Sequence, residues 1–333
     1  VDKNKQKLLR VIDHFSGKRI AVWGDFILDE YVFGRTRRIS REAPVLILTY
    51  QKKEFALGGA GNAVLNLQAL GAQALPVGVV GIDEPGETII DILHNLKTTT
   101  KFLFRLKGYP TPIKTRILAG EENTRKQQIL RIDSDFRVPE NRRLNQRLRN
   151  YLNQAQSQCS ALLISDYNYL TVKRDIFDEV IPGYRKAKCP VTLDSRFRLL
   201  DFPRANAATP NEPEVEAALN LDIGENAAVL KRAGNALLRR LQSPALLITR
   251  GSRGMALFER GKPPFLIPVR GTTDIVDVTG AGDTVISVFT LALACGAGFR
   301  LAAELANYAG GIVVMKKGTA TLTTGELREA ISS

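Results

Sequence analysis

The chain has 333 residues, 44% of them hydrophobic, with 47 Lys and Arg against 34 Asp and Glu. That is ample apolar material for a core and excludes a disordered chain, while the longest apolar stretches, 161–164 and 285–294, fall far short of the ~18 residues that a membrane-crossing helix needs. The net charge of +13 favours anionic partners, but the basic clusters Arg35-Thr36-Arg37-Arg38, Arg142-Arg143 and Arg239-Arg240 are scattered and lack interleaved aromatics, so a solvated basic surface is favoured over a nucleic-acid groove.

In chain order, the N-terminal VDKNKQKLLR has no apolar h-region or small-residue cleavage site, so a cytoplasmic protein is expected. Apolar runs follow at Ile20–Trp23, Leu75–Val80, Ala161–Ile164, Val191–Leu193 and Ala245–Thr249. Between them lie amphipathic segments that predict helices over Ala60–Leu70, Gly86–Leu96, Asn141–Ala155, Arg174–Lys186, Glu212–Leu219, Glu225–Leu241, Gly280–Ala294 and Leu301–Val314. Continuous apolar strands alternating with helices mean an α/β, doubly wound, mainly parallel sheet with helices on both faces. Two stretches, 31–55 and 101–132, carry β-like segments without intervening helices and suit a small sheet standing off the main body as a lid. With no repeat or flexible linker, 1–333 is expected to be a single domain.

Histidine chemistry has little raw material, since the chain holds two His and three Cys; the cysteines Cys159, Cys189 and Cys295 are spaced too widely for a metal or redox motif. Proton transfer therefore falls to carboxylates. The strongest local signal is Asp277-Val278-Thr279-Gly280-Ala281-Gly282-Asp283, leading into an apolar helix. Small residues at a helix N-terminus leave backbone N–H groups open to an anion, and an aspartate there can accept a proton from a nearby hydroxyl; the alternative is a Gly-rich turn capped by Asp283. Gly58-Gly59-Ala60-Gly61-Asn62 opens another helix where a polyol could approach the backbone, or where two elements merely pack closely. Asp25 and Asp29 follow the first strand at the carboxyl edge of the sheet, where ligands of open α/β folds bind, though Asp25 could equally cap the turn. Thr249-Arg250-Gly251 with Gly254, and the loop Asn211-Glu212-Pro213-Glu214, place donors and carboxylates at the same edge. Neither a P-loop nor a complete dinucleotide fingerprint occurs.

Taken in order, Gly58-Gly59-Ala60-Gly61-Asn62, the Asn-x-x-Glu of Asn211 and Glu214, the Thr-x-Gly of Thr249 and Gly251, and Asp-x-Thr-Gly-Ala-Gly-Asp ending at Asp283 resemble the ribokinase-like (PfkB) carbohydrate kinases over residues 18–331. The resemblance implies ATP and Mg²⁺ as cofactors, Asp283 as catalytic base and the Gly280, Ala281 and Gly282 backbone as anion hole. It further implies Asp25, Asp29, Gly58, Gly59 and Asn62 at the sugar, and Asn211, Glu214, Thr249, Arg250, Gly251, Gly254 and Asn307 at the nucleotide. Asn211 and Glu214 would serve the metal indirectly, through water or phosphate. The two helix-poor stretches match the family's β-lid, which implies a homodimer through the lid.

Gly24-Asp25, Asp29, Tyr31, Gly34, Arg38-Ile39-Ser40, Ala43-Pro44-Val45 and Ser165-Asp166-Tyr167 resemble the subgroup that phosphorylates D-glycero-β-D-manno-heptose 7-phosphate at O1. That resemblance adds Lys114, Arg116 and Asp166 as substrate residues, and basic lid residues suit a substrate already carrying a phosphate. Asp194-Ser195-Arg196-Phe197 departs from the subgroup's Asp-Pro-Lys-Gly, which leaves fructokinase-, phosphofructokinase- or ribokinase-type substrates, or a non-catalytic sugar or nucleotide sensor, as alternatives. Many members of the subgroup carry a nucleotidyltransferase domain after the kinase; none is expected in a sequence ending at Ser333.

Overall fold

A computed structural model describes residues 3–121, 126–270 and 276–333. In chain order the strands are β1 (Arg19–Gly24), β2 (Phe26–Ile39), β3 (Leu46–Gly59), β4 (Gln73–Gly81), β5 (Leu103–Leu106), β6 (Ile113–Gly120), β7 (Gln127–Ser134), β8 (Ala161–Asp166), β9 (Val191–Ser195), β10 (Ala207–Ala208), β11 (Ala245–Thr249), β12 (Met255–Glu259) and β13 (Phe265–Ile267). Among the described residues they form a nine-stranded sheet, ordered β13-β12-β11-β10-β9-β8-β1-β4-β5, and a four-stranded sheet, ordered β3-β2-β6-β7.

The large sheet is parallel from β5 through β11 and ends in the antiparallel pairs β11–β12 and β12–β13. Its central strands read as unbroken apolar runs because both faces are covered. On β1, Ile20 and Val22 pack into one core with the helices Ala60–Ala69 and Ala281–Ala294, while Ala21 and Trp23 pack into the other with Arg142–Gln156 and Arg174–Lys186. Period-two alternation thus splits one strand between two cores. The expected helices fall within one or two residues of their sequence bounds, with Arg174–Lys186 and Glu212–Leu219 matching at both ends.

Two helices were not expected. Lys3–Asp13 buries only Leu8 and Ile12, and Thr324–Ser332 only Leu327 and Ile331; each apolar stripe is too thin to stand out.

The lid differs from its expected bounds. Its first arm starts at Phe26, directly after β1, and its second runs 113–134 with 122–125 outside the described residues. Leu103–Leu106, expected in the lid, pairs in parallel with β4 as the edge strand of the main sheet. A four-residue strand looks the same in either sheet; the neighbour decides. The lid is wet over much of its surface, with Ile39, Val45, Tyr50, Leu130 and Ile132 at least half exposed. Among the described residues no helix is long and apolar enough to cross a membrane.

Candidate active site

The carboxyl ends of β8, β9 and β11, together with the lid, enclose a cleft of about 700 Å³. Asp29, Gly58, Gly59, Lys114 and Arg116 line it from the lid, Asp166 from the end of β8, and Asn211, Glu214, Thr249, Arg250 and Gly251 from the loops beyond β10 and the end of β11, with Gly280, Gly282 and Asp283 also in the wall. Most residues expected for sugar, nucleotide and catalysis, hundreds of positions apart in sequence, share one cavity.

Asp283 sits in the first turn of the helix Ala281–Ala294 and is almost fully buried. Its Oδ2 accepts from Asn62 Nδ2 at 2.9 Å and its Oδ1 from the Tyr167 hydroxyl at 3.1 Å. Burial pushes its pKa up to about 6, with the Asn62 and Tyr167 hydrogen bonds opposing the rise. A carboxylate tuned toward neutrality is suited to general-base work. The amides of Gly282 and Asp283, at the second and third helical positions, have no partner among the described residues and, at a helix N-terminus, are open to an anion. Ala281, expected in the anion hole, instead donates its N–H to Val278 O at 3.2 Å and does not line the cleft.

Asn62 was expected at the sugar; it is fully buried and serves Asp283 instead. Its orientation is set by a chain of hydrogen bonds: Thr284 Oγ1 donates to Asn66 Oδ1 at 3.0 Å, Asn66 Nδ2 to Asn62 Oδ1 at 3.2 Å, and Asn62 Nδ2 to Asp283. With its oxygen occupied, Asn62 can present only its NH₂ to the carboxylate. Gly280, at φ 76°, keeps that path open, since a Cβ there would lie 2.4 Å from Asn62 Nδ2.

Asp25 is likewise corrected. Its carboxylate accepts from the amides of Tyr167, Tyr169 and Thr171 at 2.8, 3.1 and 3.1 Å, and it does not line the cleft. It fixes the loop after β8, which delivers Tyr167 to Asp283. Burial and then the charge of Asp166 push its pKa up to about 6.

Asp29 does face the cleft, paired with Arg116 Nη1 at 2.6 Å. Burial raises its pKa and the Arg116 charge opposes the rise. Gly58 makes room for it: a Cβ would lie 2.8 Å from Asp29 Oδ2. Asp166 is held by Ser195 Oγ at 2.7 Å and Arg198 Nη2 at 2.6 Å.

Across the cleft, Asn211 and Glu214 form a capping box: Glu214 N donates to Asn211 Oδ1 at 2.8 Å, and Asn211 N and Nδ2 donate to the Glu214 carboxylate at 2.9 Å each. Burial nevertheless pushes Glu214 up to about 7. Arg250 is tied to Glu212 at 2.6 Å. Two expected nucleotide residues lie outside the cleft. Gly254 (φ 75°) is a packing position where a Cβ would meet Ile267 O at 2.1 Å, and Asn307 Nδ2 donates to Pro268 O at 2.8 Å beside a separate, smaller cavity.

Tyr167, Asp194, Arg196 and Arg131 line the cleft but were not among the expected site residues. Asp194 lies one residue before the end of β9, in register with Ser165 of β8, and that position near the carboxyl edge was the available signal. Its carboxyl is raised well above the usual range by burial and then by the charges of Glu214 and Asp283. Crowded carboxylates that disfavour one another's ionisation fit a site completed by a divalent cation. Among the described residues no three His, Cys, Asp or Glu side chains converge to cage a metal; a Mg²⁺ bound here would keep water and take phosphate oxygens, with Glu214 and Asp194 able to support it.

The sequence profile of the pfkB family carbohydrate kinases matches residues 18–324. The chain belongs to this family. It is 39% identical over 307 residues to the bifunctional protein HldE of Geobacter metallireducens, covering 92% of this chain and 61% of that protein. It is 38% identical to the bifunctional protein HldE of Haemophilus influenzae strain PittEE, covering 95% and 64%. The chain thus spans somewhat under two thirds of the length of these relatives. In fold it is similar to Arabidopsis thaliana ribokinase complexed with ribose and ATP, with TM-score 0.71, 19% identity and coverage of 96% and 99%. It is also similar to Escherichia coli phosphofructokinase-2 in complex with fructose-6-phosphate, with TM-score 0.73, 16% identity and coverage of 95% and 98%. As a pfkB-family member this chain is an ATP-dependent carbohydrate kinase.

Proposed function

We propose that the chain phosphorylates a sugar phosphate, D-glycero-β-D-manno-heptose 7-phosphate, at its anomeric oxygen to give the 1,7-bisphosphate. The observation that carries this reading is Asp283, a buried carboxylate with pKa about 6 that two hydrogen bonds aim into a cleft holding Asp29 on one side and Asn211–Glu214 on the other. Asp29, neutralised by Arg116, orients the sugar hydroxyls. Asp283 takes the proton of the anomeric hydroxyl as that oxygen bonds to the γ-phosphorus and the bond from phosphorus to the β,γ-bridging oxygen breaks, releasing ADP. The free amides of Gly282 and Asp283 stabilise the negative charge on the transferring group. Mg²⁺, when bound, neutralises phosphate charge; Glu214 and Asn211 would hold it through water or phosphate, with Asp194 close by. The sugar assignment is supported by the motif resemblance, the similarity to HldE proteins and the cationic lid. The anomeric position is tested by ³¹P NMR of heptose 7-phosphate incubated with ATP and Mg²⁺: a second phosphorus coupled to the anomeric proton is expected, and ADP-free mixtures or phosphate on another oxygen would overturn it.

The proposal extends to a homodimer through the lid, supported by exposed Ile39, Val45, Leu46 and Tyr50 along its outer arm. Sedimentation velocity should give a dimer that Tyr50→Glu weakens; a monomer at micromolar concentration rejects it.

A further inference from the structure

Beside the main cleft lies an alcove of about 350 Å³, shared between the lid and the loops after β8 and β9. Lys114, Arg131, Tyr167 and Arg196 line both cavities, so the two communicate. The charges in the alcove are unevenly satisfied. Asp133 is paired with Arg131 at 2.9 Å and Asp135 accepts the Tyr169 hydroxyl. Lys114 and Arg196 form no salt bridge among the described residues, although the charges of Asp133 and Asp29 act on Lys114 and the Arg196 charge opposes the rise at Asp194 and Glu214; both cations lie against the Tyr167 ring, at 5.1 and 5.7 Å from its centroid. Two like charges thus converge on one aromatic ring, and burial together with Arg196 depresses the proton affinity of Lys114. Such a pair is stabilised by an anion placed between its members. Arg116, by contrast, is consumed by Asp29.

Tyr167 also sets the distance, because its hydroxyl holds Asp283 while its ring carries the two cations. A ligand reaching from Asp283 to the alcove spans about one tyrosine side chain, with its acceptor hydroxyl at one end and its anion at the other. We propose that the alcove seats the distal phosphate of the sugar substrate, gripped by Lys114 from the lid and Arg196 from the main sheet, with Arg116 excluded from that role. This deepens, and rests on, the sugar-phosphate reading above. It also gives Arg196 a function: at this position a guanidinium offers a phosphate a bidentate fork.

The test compares kcat/KM for a sugar with and without its distal phosphate, using heptose with heptose 7-phosphate and fructose with fructose 6-phosphate. The wild type should prefer the phosphorylated member of the pair it turns over. Arg196→Gln and Lys114→Gln should each cut that preference about 10–100-fold, mainly through KM, the range for losing one hydrogen bond to a charged group. Arg196→Lys should retain part of it, and unchanged thermal midpoints exclude misfolding. An unaltered preference in both Gln variants, or a wild type indifferent to the phosphate in both pairs, overturns the seat. A wild type that prefers fructose 6-phosphate and ignores heptose 7-phosphate, with the preference lost in the variants, upholds the seat and rejects the heptose assignment alone.

Discussion

The two ends of the cleft handle polar groups in opposite ways. At the catalytic end the side chains that hold Asp283 form a chain of hydrogen bonds: Thr284 orients Asn66, Asn66 orients Asn62, and Asn62 and Tyr167 hold the carboxylate. At the alcove end Lys114 and Arg196 crowd one ring, and neither is closed by a salt bridge among the described residues. A satisfied network is rigid before the substrate arrives, so it can position a base; an unsatisfied pair is completed only by a ligand, so it can select one. Catalysis and specificity are thereby separated along a single cavity, with Tyr167 touching both ends.

The contrast can be broken at several points. The largest effect is expected for Asp283→Asn, which should lower kcat by about 10²–10⁴-fold, the range for losing a general base, with KM for the sugar little changed. Arg116→Met leaves the buried Asp29 carboxylate without its cation and should cost roughly 3–5 kcal/mol of folding stability, read from urea denaturation. Asn62→Ala removes one hydrogen bond to a charged group and should reduce kcat by about 10–100-fold without altering the phosphate preference, whereas the alcove variants do the reverse.

A smaller effect concerns pH. With Asp283 pushed up to about 6, activity should fall as pH drops through about 6, because the protonated acid cannot accept the sugar's proton. Stability runs the other way. A folded pKa raised above its unfolded value gives a contribution that is complete below the unfolded pKa of about 3.8 and lost as pH rises through about 6. Asp283→Asn should therefore gain stability relative to wild type above pH 6, and the gain should shrink as the pH is lowered; a pH-independent difference in unfolding midpoints would refute the assigned ionisation.

Legibility followed the range of the interactions. The central strands could be read because burial on both faces writes an unbroken apolar run, as in Ile20–Trp23. The anion-binding turn could be read because its chemistry is local to Gly280–Asp283. Asn62 and Asp25 were misassigned because their partners are remote: Asp283 lies 221 positions from Asn62, and the amides that hold Asp25 lie 142 to 146 positions away. A polar residue next to a Gly-rich turn looks the same whether it meets a sugar or another side chain. Arg196 was visible only as a departure from the subgroup's lysine. Its meaning depends on Lys114, which the lid brings in from another sheet.

The most direct test of the account is ATP turnover by the wild-type chain with Mg²⁺ and, in parallel, heptose 7-phosphate, fructose 6-phosphate, fructose 1-phosphate, ribose and fructose. Efficient turnover of heptose 7-phosphate and weak turnover of the others are expected. Efficient turnover of ribose or fructose in its place would contradict the phosphate-selecting end of the cleft.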